Sequence, residues 1–305
     1  MYGNFISILN NFFKMESLSV SRKVKIVSGC VRVLECAMGK GGSCRRAFVI
    51  GLDGAIGWAV READTPCIDE VLRRGVVTYS AETVVPTSSF EAWGAMFHGV
   101  GPEKHRIDGS RPFPEDSPYP SFVKVVRQAW PWSRCASFSC WKPINDYIIE
   151  RSCRCYCVSM PDPQLAKAAA DYIRAQPPDL FFMQLDFIDA AGHSYGYGSR
   201  RYLEQISEAD SLVGMVIDAI KEAGVLEESL VVLVSDHGGV GRSHGSTHPD
   251  CMTIFWGCRG PGIVEGRVLE GCVNIMDTAA VVTHALGLQA PIGWDAKVPK
   301  GVFKV

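Results

Sequence analysis

The amino-acid sequence predicts an α/β domain with a mostly parallel central sheet. Short apolar runs that suit buried strands alternate along the chain with segments of helical periodicity, a pattern typical of parallel sheets covered by helices. The chain has 305 residues, of which 47% are hydrophobic and 21% charged, so it can bury one large core. The sequence shows no internal repeat and no clear second domain.

Two strands and two helices are predicted in the first half of the domain. An apolar run that ends at Asp53-Gly54 predicts a buried strand. Asp64-Thr65-Pro66 starts a helix, because it combines an N-cap candidate with a proline early in the first turn. In chain order, the predicted elements are a strand at 47–52, a helix from 64 to Gly75, a strand at 76–85 and a helix from Ser89 to His98.

The second half is predicted to alternate in the same way. Residues 107–160 are rich in Pro, Trp and Cys and less regular, which predicts an insertion beside the candidate functional site described below. The strongest helical pattern covers residues 201–222, where one apolar stripe is followed by Gly224 as a stop. The remaining predicted elements are a helix at 162–176, strands at 180–185, 230–234 and 252–256, and a helix at 275–286.

The N-terminal residues lack the pattern of a core element. We interpret residues 1–43 as an extension, with poor order as one possibility, and residues 44–305 as the folded domain. The apolar stretch at 1–13 precedes Lys14 instead of following a basic segment, which argues against a secretory signal. No apolar run reaches the roughly 18 residues of a transmembrane helix. We therefore expect a cytoplasmic protein without a transmembrane segment.

Charge and cysteine content bear on the class of partner and on the compartment. A net charge of -2 and a pI near 6.4 give no indication of a nucleic-acid-binding surface. The twelve cysteines lack the paired spacing of zinc ribbons. Cys153, Cys155 and Cys157 alternate, which on a strand would point all three to one face. We interpret the cysteines as buried free thiols, with a soft-metal or redox site as the alternative.

Acidic residues and a histidine follow the predicted strands. The pattern places Asp53, Asp186, Asp189, Asp236 and His237 after three of them. Because the carboxyl ends of parallel strands share one edge of a sheet, these side chains should gather there. Their mutual repulsion must be offset, and a pair of divalent cations is the usual solution.

Further histidines extend this acidic set. Asp189 and His193 lie four residues apart, so a helical turn would place both on one side. A carboxylate and an imidazole suit zinc and, less tightly, manganese or iron. His244 and His248 follow His237 within a short loop and are further candidates. The histidines interpreted as structural are His98, His105 and His284.

Three hydroxyl side chains precede the helix that starts at Ser89. One interpretation of Thr87, Ser88 and Ser89 is an N-cap, since hydroxyls at that position bond the free amides of the first turn. The other is a nucleophile, because amides and the helix dipole favour an anion there and a metal can activate a hydroxyl. Both hold if one hydroxyl caps the helix while another reacts.

Five short segments form a pattern that is more specific than any one of them alone. They are Val49-Ile50-Gly51-Leu52-Asp53-Gly54; Thr65-Pro66-Cys67-Ile68-Asp69; Pro86 to Ser89 with Gly99 to His105 downstream; Asp189 to His193; and Ser235-Asp236-His237-Gly238-Gly239. Their order and spacing over about residues 45–295 resemble the alkaline phosphatase superfamily, in particular its type I phosphodiesterase/nucleotide pyrophosphatase branch.

The resemblance implies a fold, a site and a reaction. The fold would be a three-layer sandwich with helices on both faces of the sheet. The enzyme would hydrolyse a small-molecule phosphate monoester or diester through a phosphoserine, with two divalent ions, Zn²⁺ first and Mn²⁺ or Fe as alternatives. The implied roles are one metal on Asp53, Asp236 and His237, a second on Asp189, His193 and His244, and Ser89 as the nucleophile that contacts both.

The sequence departs from the family pattern at three points. Ala92 stands where family diesterases often carry an Asn that binds a phosphate oxygen, and Arg106 replaces a common Gly. His244 follows His237 by only seven residues, without an inserted lid, so His248 is a rival ligand. The alternatives are a sulfatase-like or phosphomutase-like member and a non-catalytic protein on the same fold. Residues 89–93 lack the sulfatase pattern, and the six expected ligand positions are all kept.

Overall fold

An eight-stranded β-sheet runs through residues 42–305, the part of the chain that the computed structural model describes. The strands are β1 (Arg46–Leu52), β2 (Val76–Glu82), β3 (Cys135–Ser139), β4 (Tyr156–Val158), β5 (Leu180–Leu185), β6 (Ser229–Val234), β7 (Thr253–Arg259) and β8 (Arg267–Val268). They lie in the order β4-β3-β5-β1-β6-β7-β2-β8. Only β7 runs antiparallel to its neighbours within this described sheet, which confirms the mostly parallel arrangement.

Helices cover both faces of the sheet. They are α1 (Gly57–Glu62), α2 (Pro66–Arg73), α3 (Ser89–His98), α4 (Pro102–His105), α5 (Phe122–Ala129), α6 (Asp162–Ala175), α7 (Phe187–Tyr195), α8 (Arg200–Glu222), α9 (Pro249–Met252) and α10 (Asp277–Ala285). One core cluster joins α3, α5 and α10 to the first face. A second joins α1, α2, α6 and α8 to the other face. The predicted three-layer sandwich is therefore confirmed.

The central strands bring the residues that follow them to one edge of the sheet. β1 pairs in parallel with β5 on one side and with β6 on the other, so Leu52 lies beside Leu185 and Gly51 beside Val234. β5 and β6 are buried along their whole length and β1 after its first residue, because helices cover both faces. This burial explains why their sequences are continuous apolar runs instead of alternating ones.

The predicted insertion at 107–160 is partly built into the sheet. It contains α5 and also β3 and β4, which extend the sheet beyond β5. β3 has the sequence CASFS, which lacks the long apolar run that identified the central strands. Helices α1 and α4 and the short strand β8 were also not predicted. The predicted strand at 76–85 ends earlier, at Glu82, and the one at 252–256 extends to Arg259.

The predicted common face of Cys153, Cys155 and Cys157 is wrong. Cys153 is the buried last residue of a 3₁₀ turn, and only Cys157 belongs to β4. Arg154 intervenes with a left-handed backbone, φ 49°, which breaks the alternation of an extended strand. In the described part of the chain, ten cysteines carry free thiols, five of them buried.

The predicted extension at 1–43 lies outside the described residues apart from its last two. Within 42–305, no helix is both long enough and apolar enough to cross a bilayer.

Candidate metal centre

The structure brings all the predicted site residues together at the carboxyl ends of β1, β5 and β6. They are Asp53 after β1, Asp189 and His193 on α7, Asp236 and His237 after β6, His244 in the loop that follows, and Ser89 at the start of α3. The residues next to the sheet are buried, whereas those on α7 and the loop reach solvent. The side chains of Asp53 and His237 are 1% and 0% exposed, against 43% for His193.

The three histidines present the same ring nitrogen to the centre. Nδ1 donates to a backbone carbonyl in each case: His193 to Arg242 over 2.9 Å, His237 to Gly238 over 2.9 Å, and His244 to Thr87 over 2.8 Å. A carbonyl oxygen can only accept, so the proton of a neutral ring lies on Nδ1. Nε2 then carries a free lone pair, the arrangement that outer hydrogen bonds impose on metal-binding histidines.

One group of candidate ligands consists of Asp189, His193 and His244. Asp189 Oδ2 lies 3.2 Å from Nε2 of His193, and Nε2 of His244 lies 3.2 Å from the same nitrogen. The ligand atoms of the three residues all lie within 4.8 Å of one another. Because both Nδ1 atoms are donors, two Nε2 lone pairs of neutral rings face each other, and a cation between them would remove that repulsion.

A second group lies deeper and consists of Asp53, Asp189 and His237, again within 4.8 Å. Nε2 of His237 lies 3.7 Å from Asp53 Oδ1 and 3.3 Å from Asp236 Oδ2. Asp236 thus borders this group without joining the closest set of atoms. Asp189 belongs to both groups, whereas the family resemblance assigns it to one metal only.

Each buried carboxylate has one bonded oxygen and one free oxygen. Oδ2 of Asp53 accepts from Trp93 Nε1 over 3.0 Å and from Gln184 Nε2 over 2.9 Å. Oδ1 of Asp236 accepts from the amides of Gly54 over 3.0 Å and His237 over 2.9 Å. The remaining oxygens, Asp53 Oδ1 and Asp236 Oδ2, are buried and have no hydrogen-bond partner within residues 42–305.

These free oxygens test whether the residues suit a metal. An unpaired polar atom buried away from water is costly, and an unpaired charge more so. Both oxygens lie beside the unprotonated Nε2 of His237, so oxygen and nitrogen lone pairs converge on one space. Carboxylate oxygens with imidazole nitrogens are the ligand set that Zn²⁺ prefers. The donor set therefore fits divalent cations.

Burial and crowding shift the pKa values of these groups. Burial, followed by the charges of Asp236 and Asp189, raises the pKa of Asp53 well above its usual range. Burial and then the charge of Asp189 raise the pKa of Asp236 to about 7. Burial lowers the pKa of His237, and burial together with His237 lowers that of His244. In the absence of a cation, all four groups are thus biased towards the uncharged form.

Ser89 faces the centre from the first position of α3. Its Oγ lies 3.2 Å from Nε2 of His237. Ser88, the N-cap residue, makes no side-chain hydrogen bond to the helix. The first amides of α3 therefore remain available beside Ser89, where they favour a bound anion.

Thr87 serves the loop after β6 instead of the helix. Its buried hydroxyl donates to the carbonyl of Ser246 over 3.0 Å and accepts from the amide of Gly245 over 2.9 Å. Its own carbonyl accepts the Nδ1 proton of His244. The three neighbouring hydroxyls thus have different surroundings, and only that of Ser89 contacts a candidate ligand among the described residues.

The remaining histidines have structural contacts. His248, the rival ligand, caps α9 by accepting from the amide of Asp250 over 3.2 Å and belongs to neither described ligand group. Both ring nitrogens of His98 contact backbone carbonyls, at 2.8 Å and 3.1 Å. His105 Nε2 contacts the carbonyl of Glu91 at 3.1 Å.

Besides Trp93, two supporting residues were not predicted from the sequence. Gln184 contacts both Asp53 and Asp186 through its amide nitrogen, at 2.9 Å in each case. A polar residue inside the buried run LFFMQL is the signal that could have identified it. Tyr197 donates its hydroxyl proton to Asp189 Oδ1. Burial and Asp189 raise the pKa of Tyr197 far above its usual range, which keeps it a donor.

Sequence comparison finds relatives over part of the chain. The type I phosphodiesterase / nucleotide pyrophosphatase family model matches residues 136–244. GPI ethanolamine phosphate transferase 1 of Aspergillus fumigatus is 26% identical over 180 residues, which are 51% of this chain. Ectonucleotide pyrophosphatase/phosphodiesterase family member 1 of Rattus norvegicus is 23% identical over 195 residues, or 57% of this chain. The matches span only 17% and 21% of these relatives' own lengths.

Solved structures share the fold over most of the chain. Murine ectonucleotide pyrophosphatase/phosphodiesterase 5 superimposes with a TM-score of 0.67 at 15% identity, covering 80% of this chain and 96% of that one. A 2-O GAG sulfatase has a TM-score of 0.67 at 13% identity, covering 83% of this chain and 73% of that one. The fold is that of the alkaline phosphatase superfamily.

The predicted resemblance to the alkaline phosphatase superfamily, and to its type I phosphodiesterase/nucleotide pyrophosphatase branch, is confirmed. The matched segment runs from β3 to His244, so it includes Asp189, His193, Asp236 and His237.

Proposed function

We propose that this protein hydrolyses small-molecule phosphate esters at a two-metal site, through a phosphoserine formed on Ser89. The observation that carries the proposal is the position of Ser89 Oγ, 3.2 Å from Nε2 of His237, at the start of a helix and beside two converging ligand groups. A hydroxyl in that position combines a nucleophile with nearby amides and with groups suited to divalent cations.

Two divalent ions, Zn²⁺ first and Mn²⁺ or Fe as alternatives, would supply positive charge that activates the hydroxyl and neutralises the phosphoryl oxygens. Asp189, His193 and His244 would hold the outer ion. Asp53, Asp236 and His237 would hold the inner one, with Asp189 close enough to contribute to both. The zinc preference rests on the mixed carboxylate and imidazole ligands.

The protein's own groups account for positioning and for the covalent step. The amides at the start of α3 would orient phosphoryl oxygens towards Ser89. Ser89 Oγ would bond to phosphorus as the bond from phosphorus to the ester oxygen breaks, and the alcohol would leave with a proton. Water would then cleave the bond between Ser89 Oγ and phosphorus, which releases phosphate or a phosphate monoester and restores the hydroxyl.

The comparisons support this class of reaction. By their names, the matched proteins include phosphodiesterases, a transferase of ethanolamine phosphate and sulfatases. A phosphate ester is favoured over a sulfate ester because residues 89–93 lack the sulfatase pattern. Transfer of the phosphoryl group to an alcohol would use the same phosphoserine, so hydrolysis is the simplest member of this class.

Turnover of three aryl esters tests the proposal. Protein stripped of metal and then loaded with Zn²⁺ or Mn²⁺ is assayed with p-nitrophenyl phosphate, bis-p-nitrophenyl phosphate and p-nitrophenyl sulfate. We expect metal-dependent release of nitrophenol from at least one phosphate ester and slower release from the sulfate. Metal-loaded protein that cleaves neither phosphate ester, or that cleaves the sulfate faster, would overturn the proposal.

A further inference from the structure

Tyr197 lies between the two chain segments that carry the histidine ligands. It follows α7, which bears Asp189 and His193, and its amide donates to the carbonyl of Gly241, in the loop that leads from His237 to His244, over 2.8 Å. Its ring packs edge-to-face against the His193 imidazole, with centroids 5.9 Å apart. The residue is half-buried, and its hydroxyl reaches Asp189 Oδ1.

Two glycines form the slot that holds this ring. A Cβ on Gly192 of α7 would lie 2.6 Å from Cε1 and Cζ of Tyr197. A Cβ on Gly239 would lie closer still to Cε2 and Cζ, on the other edge of the ring. Gly192 precedes the ligand His193, and Gly239 follows the ligand His237 by two residues. The ring therefore fills the space between the segments that hold these two ligands.

The carboxylate that Tyr197 contacts has little freedom of its own. A Cβ on Gly54 would lie 2.8 Å from Asp189 Oδ1, so the Gly54 backbone confines this oxygen from the side of β1. The Tyr197 hydroxyl approaches the same oxygen. Oδ2, in contrast, faces Nε2 of His193 at 3.2 Å. The Tyr197 hydrogen bond thus fixes the rotation of the Asp189 carboxylate, with Oδ2 beside His193 and Oδ1 3.9 Å from Nε2 of His244.

We propose that Tyr197 is a positioning residue for the metal centre: its hydroxyl orients Asp189, which both ligand groups share, and its ring fixes the spacing of the two histidine-bearing segments. The inference rests on the proposed two-metal function. Groups that orient metal ligands in this way typically contribute tenfold to a hundredfold to metal affinity. A purely structural tyrosine would contribute its ring packing alone, which phenylalanine retains.

Zinc titration of two matched variants separates these roles. Tyr197→Phe removes only the hydroxyl, and Tyr195→Phe removes a hydroxyl from a neighbouring tyrosine that is 48% exposed and packs on Arg201. Metal-free proteins are titrated with Zn²⁺ against a chromophoric chelator. We expect Tyr197→Phe to bind Zn²⁺ tenfold to a hundredfold more weakly than the wild type, with Tyr195→Phe unchanged.

Thermal unfolding of the metal-free protein tests the ring slot independently. Gly192→Ala should lower the melting temperature of the wild type, because the added methyl collides with the ring. The same change should have little effect in a Tyr197→Ala background, where the slot is empty, and such non-additivity marks direct contact. Equal effects in the two backgrounds would overturn the role of the ring.

The outcomes distinguish this inference from the proposed function. If the wild type and Tyr197→Phe bind Zn²⁺ with equal affinity, the inference about Tyr197 is overturned and the proposed function stands. A folded wild-type protein that binds no divalent metal would overturn the proposed function and the inference with it.

Discussion

Trp93 Nε1 donates a hydrogen bond to Asp53 Oδ2 over 3.0 Å, and both side chains are fully buried. Trp93 lies four residues after Ser89, one helical turn further along α3. Its ring packs so closely on Gly51 of β1 that no side chain could replace that glycine without a shift. The helix that carries the candidate nucleophile is thereby joined to the strand that carries a candidate ligand.

Trp93→Phe should therefore lower both stability and metal affinity. The change removes one of two donors to Asp53 and leaves a small cavity, which together should cost about 2 kcal/mol in the free energy of unfolding. Urea denaturation of the metal-free protein measures this change. Trp132→Phe is the matched control, because Trp132 is 95% exposed and its loss should change stability by less than about 0.5 kcal/mol. Equal stability of the two variants would contradict the role of Trp93.

The two ligand groups predict two divalent ions per chain, about 4 Å apart as in other two-metal phosphoryl-transfer sites. Elemental analysis of metal-replete protein should therefore find close to two ions per chain. Asp53→Ala and His193→Ala should each lower the content, since they belong to different ligand groups. His248→Ala is the control and should leave the content unchanged, because His248 caps α9. A loss of metal in His248→Ala would return that residue to the ligand set.

The stability of the metal-free protein should depend on the protonation of Asp236. Its pKa in the fold is about 7, against about 3.9 in an unfolded chain, so protonation stabilises the fold fully below about pH 4. This contribution is lost as the pH rises through 7. The melting temperature of the metal-free wild type should therefore fall from pH 5 to pH 8 relative to that of Asp236→Asn.

Zinc affinity should show the opposite trend over the same range. A bound cation requires the charged carboxylate, so the proton must leave before the ion binds, and affinity should rise towards pH 8. Differential scanning fluorimetry of both proteins, with and without Zn²⁺, checks the two trends together. Parallel melting curves for wild type and Asp236→Asn at every pH would contradict the assignment.

Ser89→Ala should abolish the covalent step while leaving the metals in place. Turnover should fall by at least about a thousandfold, the scale expected when a nucleophile is deleted. Ser88→Ala should have little effect, because the Ser88 side chain makes no cap hydrogen bond. Steady-state turnover of the variants and a search for phosphopeptides after acid quench test this prediction. Phosphate found on Thr87 or Ser88 would show that one of these residues, and not Ser89, is the nucleophile.

Thr87→Val should be more damaging than the loss of a helix cap, about 1 kcal/mol, which the sequence alone suggested. The change leaves the Gly245 amide and the Ser246 carbonyl without their hydrogen-bond partner and detaches the loop that carries His244. It should lower the free energy of unfolding by about 2 kcal/mol and weaken metal binding. Thr83→Val is a matched control, since the Thr83 hydroxyl is buried without a partner among residues 42–305. Denaturation of both variants compares them, and equal effects would refute the loop anchor.

The central strands and the gathering of the site residues were predictable for the same reason. Strands such as β5 are buried on both faces, so their sequences are unbroken apolar runs, and a charged residue just beyond such a run must lie at the sheet edge. Asp53 and Asp236 follow this rule directly. The i to i+4 spacing of Asp189 and His193 likewise needs only local geometry, which α7 supplies.

The supporting contacts could not be predicted, because they depend on residues distant in sequence. Trp93 and Gln184 meet at Asp53 across separations of 40 and 131 residues. Thr87 was a candidate helix cap because it precedes α3 in the sequence. Its contacts with the loop at Gly245 join residues distant in sequence and could not be predicted. β3 was missed because its short CASFS run resembles a loop once its sheet partner is unknown.

The uneven exposure of the two candidate ligand groups should give two ions bound there different exchange rates. In the inner group, Asp53, Asp236 and His237 are 0–1% exposed, whereas the shared Asp189 is 15% exposed and His193 of the outer group is 43% exposed. A chelator should therefore remove the outer ion faster than the inner one. Brief treatment with a chelator would leave a protein that holds one ion and has lost turnover. Metal content and activity must therefore be measured at the same time points, so that the loss of turnover can be assigned to the loss of the outer ion.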